Sequence, residues 1–279
     1  MPGALEPVKR KKGLAWIMPI GNELLIGRVV DTNSAWIARR LTFLGYRVYR
    51  IVKVPDSLSE IKSELLRALE YSEVIITTGG LGPTYDDITL EAIAATLGRD
   101  LVLNDEAYSM VKNFYEQRGM PITPERRKMA MLPEGAKPIP NPVGAAPGAL
   151  IELHDSIIIA LPGVPSEMKA MFTNYVEPIL SQRAPPRRYW ECHIEIAGIP
   201  ESSLAPLLEN IARRHPKSYI KSHPKGHELE GPVIELRILA SGDTEEEAKG
   251  EAEVTLNELK EGLREFRYRV RQEGCGPPG

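Results

Sequence analysis

The run Thr77-Thr78-Gly79-Gly80-Leu81-Gly82-Pro83-Thr84-Tyr85-Asp86-Asp87-Ile88-Thr89 is the stretch of this sequence best equipped for chemistry. It continues a β-rich run, Glu73-Val74-Ile75-Ile76, that reads as a buried strand. Glycines directly after a strand let backbone N–H groups approach an anion, and the start of the next helix adds positive potential. The loop is not a Walker A loop, because it has no Gly-Lys-Ser/Thr. It is not the dinucleotide fingerprint either, because Tyr85 stands where a third glycine is required. Asp86 and Asp87 stand where a bound phosphate would lie, and two carboxylates beside an anion need a cation. A divalent metal ion (Mg²⁺, Mn²⁺ or Co²⁺) held by Asp86 and Asp87 is therefore expected. The same residues also suit a ligand-free strand-to-helix turn, with Asp86 as helix cap and Asp87 facing the first-turn dipole.

Other candidate groups are weaker. Glu23 lies in the loop Gly21-Asn22-Glu23-Leu24-Leu25-Ile26-Gly27 and suits a ligand, a metal or a turn. Ser166 reads as a helix N-terminal residue rather than a nucleophile, since no neighbouring His or Lys is marked as a base. His223 and His227 lack the Cys pair or HExxH pattern of a zinc site. Cys192 and Cys275 form no CxxC pair, so neither a zinc ribbon nor a disulfide scaffold is expected.

The elements that must position these groups follow from periodicity. Leu14 to Ile20 is an apolar run of strand length. Asp31-Thr32-Asn33 offers cap chemistry for a helix that ends at Gly45, with Trp36, Ile37, Leu41 and Leu44 on one face. Arg47 to Val54 alternates as a strand, and Ser57 caps a helix to about Tyr71. The strand at 73–78 and its glycine loop lead to a helix from Asp86-Asp87 to Leu97. This β-α-β-α-β-α order predicts an α/β domain: a mostly parallel sheet covered by helices on both faces. Helices are expected at 104–118 and 123–131, a hairpin at 149–161, and a closing helix at 165–182. Ala184-Pro185-Pro186 reads as a linker to a small α+β domain, βαββα, at 185–270. Residues 1–13 read as a disordered basic arm and 271–279 as a tail, disordered from Gly274 to Gly279.

Composition narrows the classes. A net charge of −3 disfavours general binding to nucleic acid or a membrane surface. No apolar run approaches the roughly 20 residues that span a bilayer, and no signal-peptide pattern is present, so a cytoplasmic location is expected. Proline occurs 24 times while glutamine occurs only at 117, 182 and 272, a composition that leans toward a heat-adapted source.

Four ordered segments together resemble the CinA-like group of the molybdopterin-binding, MogA/MoaB-like fold. The loop at 79–89 matches its GGLGPT-x-DD-x-T signature. Gly21-Asn22-Glu23-Leu24-Leu25 with Asp31-Thr32-Asn33 is similar to its first loop. Asn141, Gly144 and Ala146-Pro147-Gly148 resemble its N-x2-G-x-APG segment, and Leu161-Pro162-Gly163-Val164-Pro165-Ser166-Glu167-Met168 its LPG-x-P-x-EM segment. The small domain is similar to the one that follows in CinA proteins. The resemblance implies a three-layer domain at 14–184 with a nucleotide- or pterin-phosphate site at the strand ends. It implies substrate contacts at Asn22, Glu23, Thr78, Gly79, Gly80, Gly82, Thr84, Gly163, Pro165 and Ser166, catalytic roles for Asp56 and Asp87, and a homodimer. The implied activity is metal-dependent cleavage of a dinucleotide pyrophosphate such as ADP-ribose. The alternatives are molybdopterin binding or adenylylation in molybdenum cofactor biosynthesis, and binding of a nucleotide or pterin without turnover. Two departures stand out. The chain ends before the family's nicotinamide mononucleotide deamidase domain, so that activity is not expected. Pro55 replaces the usual glycine before Asp56, which removes a backbone N–H.

Overall fold

The computed structural model describes residues 12–225 and 231–276. Most of the basic arm therefore lies outside the described residues, as do His227 and the last three residues. The chain divides into two compact units, one of 12–42 and 46–185 and the other of 43–45 and the described residues from Pro186 on.

The first unit runs β1 (Leu14–Pro19), α1 (Asn22–Leu25), α2 (Thr32–Phe43), β2 (Arg47–Ile51), α3 (Leu58–Tyr71), β3 (Val74–Thr78), α4 (Thr89–Leu97), β4 (Leu101–Leu103), α5 (Asp105–Glu116), α6 (Pro124–Lys128), β5 (Met131–Pro133), β6 (Lys137–Ile139), β7 (Gly148–Glu152), β8 (Ile157–Leu161), α7 (Pro165–Met171) and α8 (Glu177–Arg183). Six strands form one sheet in the order β2-β1-β3-β8-β7-β6. The pairings from β2 through β8 are parallel, and β8-β7 and β7-β6 are antiparallel. Register aligns the strand ends that matter, with Pro19 beside Thr78 and Thr78 beside Leu161.

β1, β3 and β8 are buried along their whole length, as a sheet covered on both faces requires. Trp16, Met18 and Ile75 pack with Ile61 and Leu65 of α3 and Leu90 and Ile93 of α4. Their alternate neighbours Ile17, Val74 and Ile76 are equally buried and point to the opposite face. Each such side chain contributes about 1.5–3 kcal/mol of hydrophobic stabilisation. α2 packs on the C-terminal part of the unit, with the Trp36 ring edge-on to Phe172 at 5.3 Å. The buried Tyr46 hydroxyl donates to the Leu180 carbonyl at 3.0 Å, and burial, with Glu73 adding, pushes its pKa up to about 12.

Capping chemistry explains several helix starts. Asp31 Oδ1 accepts from Ser34 N at 2.9 Å, and Asn104 Oδ1 accepts from Ala107 N at 2.9 Å. Ser57 occupies the cap position of α3 but its hydroxyl meets Ser59 Oγ at 3.1 Å instead of a helix N–H. The helix after the glycine loop begins at Thr89, not at Asp86-Asp87, because both aspartates turn back onto Thr84. The closing helix is not continuous either: a π-helical turn at Phe172–Val176 separates α7 from α8. Pro178 lies at the start of α8, where its missing N–H cannot close a regular turn.

The second unit runs β9 (Arg188–Ala197), α9 (Glu201–Arg214), β10 (Ser218–Pro224), β11 (Val233–Gly242), α10 (Glu245–Leu263) and β12 (Arg269–Gly276). All its strand pairings are antiparallel, in the order β10-β11-β9-β12. Ala252, Leu256, Leu259 and Leu263 of α10 close over Ile194, Ile196, Leu236 and Ile238 of the sheet. Two expectations are corrected here. Residues 271–276 are not a tail but part of β12, which extends βαββα to βαββαβ. The two cysteines are not separate: β12 places Cys275 opposite Cys192 on β9, and the pair forms a disulfide with Cα atoms 4.2 Å apart. Strand register supplies this proximity across 83 residues of chain, which Cys spacing alone does not reveal.

Candidate active site

The site forms where β1, β3 and β8 end. Gly79 follows β3 with φ +100° and Gly80 with φ +68°, backbone open only to glycine at low cost. A Cβ on Gly79 would lie 2.3 Å from the Ile20 carbonyl oxygen, so the glycine lets the two strand-end loops touch. Gly79 N donates to Leu161 O at 3.0 Å, Thr89 Oγ1 donates to Gly79 O at 2.9 Å, and Thr89 N to Gly80 O at 3.2 Å. The loop is thus pinned on one side by β8 and on the other by the start of α4. Gly80→Ala would push its Cβ to 2.2 Å from Thr89 Oγ1. Displacing that hydroxyl and forcing alanine to positive φ is expected to cost about 2 kcal/mol. The expected fall in melting temperature is roughly 4–8 °C by calorimetry; an unchanged transition would show that the loop relaxes around the methyl group.

The loop tip folds on its own acids. Asp87 Oδ2 accepts from Thr84 N at 2.8 Å. The Thr84 hydroxyl lies within hydrogen-bond reach of both Asp86 Oδ1 and Asp87 Oδ2. It has one hydrogen and satisfies one carboxylate at a time. This hydroxyl holds the Asp86 carboxyl below the usual carboxylate range, helped by a backbone N–H and by the Lys128 ammonium and opposed by slight burial. Lys128, from α6, donates to the Thr84 carbonyl. Across the cleft, Asp56 Oδ2 accepts from Asn22 N at 2.8 Å, which ties the end of the β2 segment to α1. Val54 makes a parallel bridge to Ile20 just before it.

A cavity of about 420 Å³ lies over this loop. Of the sequence candidates, Glu23, Asp56, Gly79, Gly80, Gly82, Thr84, Asp86, Asp87 and Gly163 line it. Thr78 and Pro165 line an adjoining space of about 90 Å³, which Glu23 and Gly163 share. Asn22 and Ser166 line neither. Ser166 is exposed in the first turn of α7, and Asn22 acts through its backbone. The sequence does not single out Glu167, the third residue of α7, yet it also lines the cavity. Asn141 Nδ2 donates to Glu167 Oε2 at 2.7 Å and to Ala146 O at 2.9 Å, while its Oδ1 accepts from Gly144 N at 2.8 Å. The N-x2-G-x-APG segment therefore braces a carboxylate. A Cβ on Gly144 would fall 2.2 Å from that carboxylate. Tyr115, Met129 and Ala145 add an apolar wall.

Glu23, Asp56, Asp86, Asp87 and Glu167 bring five carboxylates to this cavity, and among the described residues no Lys, Arg or His lines it. Among the described residues no three His, Cys, Asp or Glu groups gather to hold a metal ion. The donor set fits a Mg²⁺-type ion all the same, because such ions take one or two carboxylates and complete their shell with water and substrate phosphate.

The model of the family described as "Probable molybdopterin binding domain" matches residues 16–182. A protein of Aeropyrum pernix is 51% identical over 259 residues, 93% of this chain and 97% of its own. One from Pyrobaculum arsenaticum is 51% identical over 253 residues, 91% of this chain and 96% of its own. The chain belongs to the molybdopterin-binding-domain family. Within it, the chain is CinA-like. The crystal structure of CinA from Thermoplasma acidophilum, a protein of unknown function, is 42% identical with a TM-score of 0.57, covering 60% of this chain and 98% of that one. Among the described residues no helix is long and apolar enough to cross a membrane.

Proposed function

We propose that the first unit is a metal-dependent pyrophosphatase for a dinucleotide of the ADP-ribose type. One observation carries this reading: a cavity large enough for a small molecule joins a glycine loop at three strand ends to five carboxylates and, among the described residues, no cationic side chain. Backbone N–H groups of the loop would receive phosphate, while Tyr115 and Met129 offer an apolar wall to a heterocycle. Asp86 and Asp87 would hold the divalent ion, which supplies charge neutralisation at the phosphates. Asp56, with one oxygen already held by Asn22 N, would take the proton of an attacking water. The water oxygen bonds to one phosphorus, the bridging P–O bond breaks, and the products are AMP and ribose 5-phosphate.

The test is incubation with ADP-ribose and Mg²⁺, Mn²⁺ or Co²⁺ at equal concentrations, followed by chromatography for AMP. Metal-stimulated AMP release is expected, and its absence with all three metals would reject hydrolysis. The family description favours a second reading, a pterin phosphate in the same cavity. Tight molybdopterin binding without AMP release from ADP-ribose would select it.

A further inference from the structure

The second unit holds a cavity of about 540 Å³ that the activity proposed above does not use. Arg267, Arg269 and Arg271 line it, together with Tyr268, Ala197 and Gly198. Gly198 follows β9 with φ +106°, and a Cβ there would lie 3.3 Å from the Arg267 carbonyl oxygen. Glycine is what lets the end of β9 run this close to the chain entering β12. Arg271 is the extra residue of an irregularity in the β12–β9 pairing, between Val270 and Gln272. Such bulges re-aim a side chain, and Arg271 lines the same cavity as Arg267 and Arg269.

Among the described residues the charges are left unbalanced. Arg213, Arg214 and Arg237 in the same unit each pair with a glutamate. Among the described residues Arg271 approaches only Glu195, at 3.9 Å, and that carboxylate is already engaged by Lys225 at 3.0 Å. Arg267 and Arg269 have no carboxylate partner among the described residues. Three arginines lining one cavity repel one another where their guanidinium groups approach, unless an anion joins them. Guanidinium groups bind phosphate oxygens in bidentate fashion, and three of them match more than one phosphoryl group. The cavity volume is that of a small-molecule site.

We infer that this cavity binds the phosphate chain of a small oligophosphorylated molecule. Tripolyphosphate is the probe, titrated by calorimetry into the full-length, unreduced protein without divalent metal, so that the metal-dependent site of the first unit stays silent. Binding is expected, and Asp87→Asn is expected to leave it unchanged. Arg267→Ala with Arg269→Ala should weaken it by roughly 100-fold, about tenfold for each guanidinium–phosphate hydrogen bond removed. Both side chains are exposed, so the fold should survive, as circular dichroism would verify. Arg269→Lys, which keeps the charge and loses the fork, should weaken binding only a few-fold. Absence of tripolyphosphate binding would overturn the inference, as would equal binding by the double-alanine variant. Arginine-dependent capture of a labelled oligothymidylate, with no response to tripolyphosphate, would overturn it in favour of a nucleic-acid backbone.

Discussion

Asp87→Asn is expected to lower ADP-ribose turnover by on the order of 10²-fold or more while leaving the melting temperature nearly unchanged. Asp87 performs two tasks that the substitution separates. Its Oδ2 accepts from Thr84 N at 2.8 Å, which folds the loop tip, and its charge adds to the carboxylates around the cavity. Asparagine is close to isosteric and keeps an acceptor for Thr84 N, so the loop retains its brace. The Thr84 hydroxyl then turns wholly to Asp86. What disappears is one of the two adjacent charges that hold a cation against phosphate, and charge neutralisation is the main protein contribution to phosphoryl chemistry. Asp87→Ala removes both tasks and should lower the melting temperature only slightly, because the exposed Thr84 N–H then turns to water. Turnover and melting are to be measured on the same preparations, with and without metal. Near-normal, metal-stimulated AMP release by the asparagine variant would reduce Asp87 to a loop brace.

The parts of this site legible in the sequence are those set by local chemistry. Thr78 and Gly79-Gly80 stand at the end of a β-branched run, and the glycines take the positive φ that only glycine adopts cheaply. The 161–168 segment was legible only as a motif; the sheet explains it, since β8 pairs with β3 and brings Gly163 within 3.4 Å of Gly79, measured from its would-be Cβ. Glu167 escaped because a glutamate in a first helical turn already has an explanation in the helix dipole. Its hydrogen bond with Asn141 spans 26 residues and depends on where two loops meet. The start of α4 lies later than its composition suggests for a related reason. Asp86-Asp87 has the composition of a helix start, but Thr84 offers both carboxylates nearer donors. β4, β5 and β6 have three residues each, too few for any period to register. β12 reads as a tail because its residues are mostly polar and exposed, and only pairing with β9 makes it a strand.

That pairing leads to the second large effect. Reducing the Cys192–Cys275 bond is expected to destabilise the second unit by about 4.5 kcal/mol, the chain-entropy value for a loop of this length at 25 °C. The bond closes 83 residues, nearly the whole βαββαβ unit. In the native unit the bond also secures an edge strand. β12 contributes few buried side chains, so its attachment to β9 relies on backbone hydrogen bonds and this one covalent link. Cys192 is buried among Ile194, Leu236 and their neighbours, and its thiol would remain there after reduction without leaving a void. The loss therefore arises mainly from freeing the unfolded chain, not from damage to the core. For a unit of this size the melting transition should fall by on the order of 20 °C. Calorimetry with and without a phosphine reductant measures it, and Cys275→Ser, at an exposed position, should reproduce the reduced value. Two thiols titrating in unreduced, denatured protein would show that the bond is not formed. Disulfides are rare in reducing compartments except in heat-adapted organisms. Zero thiols would accordingly weigh against a cytoplasmic location in an ordinary mesophile, and would agree with the proline-rich, glutamine-poor composition of the chain.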